Sequence, residues 1–230
     1  ALSNDVGVLD GPVRPSDVAV DELSSTDGGP GHDGEVACHA MHRWTDAPIE
    51  VCWEKIGDDD AKLLVQRAVE STWSLESGVV FTGWSLCAPT SRGIHIRVAD
   101  EWPATKAVGS ALDGGEAGRV LNFEFAFRDM NGTQPLADCQ SDKAWARCVR
   151  KSAIHQFGHA LGYRHAPVDV DQPHICDELP TDTSGDPNAV ESSIMSLATH
   201  CRPARGGEGA LSGADIAAAS QDYGDPRPLS

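Results

Sequence analysis

The sequence predicts an α/β fold (α+β in some schemes): a twisted, mostly parallel sheet packed on two helices. Three observations predict it. Ile49-Glu-Val-Cys-Trp53 alternates and is rich in strand formers. A helical stripe follows, and then a second apolar run, Val79-Val-Phe-Thr-Gly-Trp84. Strand, helix and strand at this spacing require a right-handed crossover, which makes the two strands parallel. Further on, a helical pattern over 142–161 is closed by Gly162, and an irregular stretch follows it.

Each element has a local reason. Gly57-Asp-Asp-Asp60 supplies a helix cap and an acidic first turn rather than a calcium loop. Leu64, Val65, Ala68, Val69 and Trp73 then form the apolar stripe of a helix over 61–75. Gly93-Ile-His-Ile-Arg-Val98 reads as the third strand, with His95 a half-buried strand histidine. Residues 99–118 are Gly-rich, with a short antiparallel edge strand expected near Lys106-Ala-Val-Gly-Ser110. Arg119-Val-Leu-Asn-Phe-Glu-Phe-Ala-Phe127 reads as another strand. Ser212 opens a final helix that runs to about Tyr223, with Asp215 as its capping-box partner.

The chain has 230 residues with 18 Lys+Arg against 35 Asp+Glu, a net charge of −17. That length suits one domain with an extension. The acidic balance argues against nucleic acid, whose phosphates need a basic face. It argues equally against an anionic membrane surface, and no run of about 18 apolar residues is present. Asp5, Asp10, Asp17, Asp21, Glu22, Asp27 and Asp33 stand against Arg14 in the first stretch, which lacks apolar periodicity. Residues 1–43 are therefore expected to be an acidic N-terminal extension, and 44–230 the folded domain.

Seven cysteines without a CxxC pair point to an oxidising compartment and disulfides, hence to a secreted protein. Short loops and adjacent strands favour Cys52–Cys87, Cys139–Cys148 and Cys176–Cys201, which leaves Cys38 over. That thiol either makes an ordinary disulfide or serves as a metal ligand.

The segment that carries chemistry is His155-Gln-Phe-Gly-His-Ala-Leu-Gly-Tyr-Arg-His165. His155 and His159, four apart on a helix, stack on one face. Gly162 permits the left-handed turn that returns His165 to the same ion. Three imidazoles leave a fourth position open, which describes a catalytic zinc site.

This segment resembles the metzincin motif HExxHxxGxxH, with Gln156 where that family has glutamate. Ser193-Ile-Met-Ser196 looks like the Met-turn, and Leu211-Ser-Gly-Ala-Asp-Ile216 through Tyr223-Gly224 looks like a matrixin-like ending. The resemblance implies a metzincin-like, matrixin-like or astacin-like fold over about 44–224. It would be split at Gly162 into an N-terminal subdomain (44–162) and a smaller irregular C-terminal one (163–230), with the cleft between them.

It also implies one zinc on His155, His159 and His165, and Met195 as the hydrophobic floor. Lys106, Ala107, Val108, Gly109, Ser110 and Ala111 would be the edge strand that pairs with an extended peptide. Cys38 would be the ligand that keeps a zymogen latent, although its surroundings do not match the matrixin switch. A monomeric endopeptidase acting on peptides or proteins is expected; calcium dependence stays open.

In such enzymes the glutamate takes a proton from the attacking water and passes one to the leaving amine. Gln156 has the shape but not the basicity. Two readings fit: a glutamate replaced to stop self-cleavage, or a natural pseudoprotease that binds zinc and peptides without turnover. Ala166, directly after the third histidine, and Leu197, two after the methionine, give the second some weight. A zinc hydrolase acting on a non-peptide substrate is a further alternative.

Overall fold

Among the described residues five strands make the sheet: β1 (Ile49–Trp53), β2 (Phe81–Leu86), β3 (Ile94–Val98), β4 (Ala104–Thr105) and β5 (Gly115–Leu121). Their order is β2–β1–β3–β5–β4. β1 is parallel to β2 and β3, β3 is parallel to β5, and β4 alone runs antiparallel, at the edge. This mixed α/β architecture is the one expected.

The computed structural model describes residues 39–130, 135–165, 193–196, 203 and 208–226. The chain divides into units 1–34 and 35–230. Cys38, Ala166, Leu197 and the expected Cys176–Cys201 pair lie outside the described residues.

Among the described residues three α-helices accompany the sheet: α1 (Asp59–Val69), α2 (Asp142–Leu161) and α3 (Gly213–Tyr223). A π-helical turn, Glu70–Ser74, prolongs α1. The aspartate cap expected for α1 is not made: Asp58 is left-handed (φ 57°) and its side chain bonds no helix N–H. Its carboxylate lies 3.4 Å from Lys55 instead. α2 has the expected limits, with Gly162 at φ 107° as its C-cap. α3 opens on a complete capping box between Ser212 and Asp215.

Alternation along the strands divides the sheet into two faces. Ile49, Val51, Trp53, Ile94, Ile96, Val98 and Leu121 belong to the core. Phe157 of α2 meets the rings of Phe81 and Trp84 at 5.2 and 5.6 Å, and the Trp73 indole donates to the Ile154 carbonyl (2.8 Å). Cys52, on the opposite face of β1, is bonded to Cys87, and Cys139 is bonded to Cys148 at the head of α2. His95 is buried, its Nε2 3.1 Å from the Ser91 carbonyl.

Two expected strands are corrected. β5 stops at Leu121, and 122–127 is a loop. The alternating Phe123, Phe125 and Phe127 mimic a strand, but Phe125 and Phe127 have φ of 54° and 52°. Their rings are buried through turns organised by two side chains. Asn122 Oδ1 accepts from the Glu124 and Phe125 amides. The Asp100 carboxylate accepts from the Ala126, Phe127 and Arg128 amides.

The edge strand expected at 106–111 is displaced. β4 occupies Ala104–Thr105, and Gly109–Leu112 forms a 3₁₀ turn. Gly109 is left-handed (φ 59°), and a Cβ there would lie 2.1 Å from the His42 carbonyl oxygen. That oxygen accepts from the Ser110 amide at 2.6 Å. The residues expected to be a strand are thus tied to residue 42.

Candidate metal centre

α2 places His155 and His159 one turn apart, and the Gly162 turn brings His165 back to them. The three Nε2 atoms converge: 3.1 Å between His155 and His159, 3.1 Å between His155 and His165, and 3.3 Å between His159 and His165. His155 and His159 are buried, and His165 is partly exposed.

The outer nitrogens fix the tautomers. His155 Nδ1 donates to the Ile194 carbonyl (2.7 Å), and His159 Nδ1 donates to the Tyr163 carbonyl (2.8 Å). Each Nε2 of that pair therefore presents a lone pair, and lone pairs this close repel unless a cation lies between them. Zinc–nitrogen bonds of about 2.0–2.1 Å in tetrahedral array would separate ligand nitrogens by roughly 3.3–3.4 Å. The residues fit a zinc ion.

Met195 is buried in the turn at residues 193–196. It packs on Gly158 of α2: a Cβ there would lie 2.2 Å from the Met195 sulfur. Asp215 ties this turn down. Its carboxylate accepts from Ser193 Oγ (2.7 Å) and the Ile194 amide (3.0 Å), and from the Ser212 amide (2.8 Å). One side chain thus caps α3 and holds the residue whose carbonyl orients His155. The capping role is legible in sequence; the bond to Ile194, 21 residues away, carries no local signal.

Gln156 is 1% exposed. Among the described residues its Oε1 has no hydrogen-bond partner, so an acceptor beside the first ligand is unused.

A strap at 39–44, read from sequence mostly as extension, clasps the end of α2. The Met41 amide donates to the Gly162 carbonyl (2.9 Å), and the Trp44 indole donates to the Ala160 carbonyl (2.7 Å). The Ala40 amide donates to Asp222 Oδ2 (2.7 Å), which also accepts from the Tyr163 hydroxyl (3.3 Å). Burial, and then the Asp222 charge, push the Tyr163 hydroxyl far above its ordinary pKa, so it stays a donor. None of these partners, Tyr163, Ile194 or Asp222, was singled out from the sequence.

No protein-family model matches the chain, and no curated protein matches its sequence. Solved structures do. A structure of myroilysin aligns at TM-score 0.50 and 16% identity over 82% of this chain and 97% of that one. High choriolytic enzyme 1, a hatching enzyme zinc-protease from the medaka fish Oryzias latipes, aligns at TM-score 0.40 and 14% identity, over 83% of this chain and 96% of that one. The likeness to myroilysin is one of fold.

Proposed function

We propose that this chain is a secreted zinc-dependent endopeptidase of the metzincin kind whose turnover is suppressed by Gln156. The observation that carries this reading is the convergence of three Nε2 atoms within 3.3 Å of one another. The fold shared with myroilysin is consistent with it, and the disulfides fit an extracellular setting.

His155, His159 and His165 hold the ion, and the Ile194 and Tyr163 carbonyls keep the first two rings aimed. Bound zinc supplies Lewis-acid chemistry, polarising a peptide carbonyl and water. Met195 packs beneath the ligands as a Met-turn. An extended peptide pairs with the sheet edge at β4, Ala104–Thr105. Gln156 Oε1 can accept a hydrogen bond from water but cannot remove its proton. Cleavage therefore lacks its base and its proton carrier. Cys38 is the candidate fourth ligand of a latent precursor.

The second reading, a pseudoprotease that binds zinc and a peptide or protein partner without turnover, is favoured by Gln156 itself. Metal analysis with a peptide-library digest, on the chain and on Gln156→Glu, separates the two. One zinc per chain with cleavage only in the glutamate form supports the peptidase. Zinc without cleavage in either form, even after the extension is removed, supports the pseudoprotease. No zinc overturns both.

A further inference from the structure

A second buried polar group lies outside the histidine cluster. Arg119 of β5 is fully buried, and among the described residues Nε, Nη1 and Nη2 make no hydrogen bond. Register places it. Trp53 pairs with Ile96, Ile96 with Arg119, and Arg119 with Thr105. Paired residues in a sheet point to the same face. Arg119 thus continues a row whose first two members, Trp53 and Ile96, are core residues. It points into the layer between the sheet and α2, which packs on both β5 and β4.

The neighbours on that row do not satisfy it. Trp53 and Ile96 offer no acceptor. Thr105 Oγ1 is turned to its own strand end, between the Ala107 amide and carbonyl. Just ahead of Arg119 the β3–β5 ladder is irregular, Ile94 pairing with Gly115 but Ile96 with Arg119. The two extra residues of β5 set Arg119 rather than Ala117 opposite Ile96. Glu54, the nearby carboxylate, accepts from the Ala117 amide. It follows core-facing Trp53, which aims it at the other face.

A guanidinium presents five N–H donors and stays charged in proteins. Leaving it buried and unpaired is among the costliest arrangements a core can contain. Desolvation alone pulls its pKa well down, which reflects the same cost.

We infer that Arg119 holds a small monovalent anion, chloride or a small carboxylate, between β5 and α2. The planar fork suits a carboxylate in two-point contact or a halide between its N–H groups. The site is separate from the zinc ligands, so it stands or falls independently of the peptidase reading.

Thermal unfolding of the full chain tests it, at constant pH and ionic strength, with chloride or acetate exchanged against gluconate, a much larger anion. Chloride, acetate or both should raise the midpoint by roughly 3–5 °C for each tenfold rise in anion above its dissociation constant. The responding anion identifies the ligand. Arg119→Met should abolish the dependence. Identical midpoints in all three salts, or the same dependence in Arg119→Met, overturn the inference. So does an Arg119→Met chain more stable than the parent at every anion concentration, as expected for a buried charge with no counter-ion. If the variant does not fold, bromide-soaked crystals of the parent decide: anomalous density at the guanidinium supports the site, and its absence overturns it.

Discussion

Helix α2 lies between two buried polar arrangements that differ in every respect. On one side, His155 and His159 each commit one ring nitrogen to a carbonyl and direct the other at a shared point. On the sheet it packs against, Arg119 finds no protein acceptor among the described residues. In the first case outer partners arrange a ligand site in advance. In the second the chain supplies charge and leaves the partner to come from outside. The difference shows that a buried polar group should be judged by what each of its atoms meets, not by its burial.

The sharpest way to break the comparison is to remove a ligand. His159→Ala should reduce zinc from one per chain to none, measured by metal analysis after dialysis; retained stoichiometric zinc would mean that the convergent nitrogens are not the site. Next in size is Gln156→Glu, which should raise peptide cleavage about 10²–10⁴-fold, the usual worth of a general base. Smaller again is the loss of an outer partner. Asp215→Ala frees the Ile194 turn that orients His155, and zinc affinity should fall roughly 10–100-fold in a competition titration. An unchanged affinity would show that the Ile194 carbonyl keeps its place without Asp215.

The smallest effect is at Asp100, a site satisfied by three backbone amides and the Asn122 side chain. Burial pushes its carboxyl up, but hydrogen bonds from Arg128, Phe127, Asn122 and Ala126 outweigh this and hold its pKa below 3.8. A depressed folded pKa contributes stability above the unfolded value, and that contribution is lost as pH falls through the folded one. Asp100→Asn should therefore cost about 1 kcal/mol near pH 7, with the gap from the parent closing below about pH 4. A gap that persists in denaturant titrations at pH 2–3 would assign the cost to packing instead.

What the sequence made legible follows the same division between local and distant causes. α2 and its closing glycine could be read because period, cap and histidine spacing are local. Both disulfides within the described residues join the cysteines expected. The strand expected to run through 127 failed because alternating phenylalanines are equally compatible with left-handed turns gathered by Asn122 and Asp100. The edge strand was misplaced because Gly109 and Ser110 answer to His42, far away in sequence. The Ile194, Tyr163 and Asp222 contacts, and the isolation of Arg119, arise only from tertiary register, which periodicity does not encode.

Gly158 shows how far the metal site extends beyond its ligands. In an ordinary exposed helix, exchanging glycine for alanine gains about 1 kcal/mol. Here the added methyl would fall 2.2 Å from the Met195 sulfur and 3.0 Å from the Trp73 ring, so the usual gain becomes a loss. In a deep mutational scan selected for retained zinc, position 158 should tolerate as little as 155 and 159. A residue with no side chain and no coordinating atom would then appear in the fitness map as part of the motif.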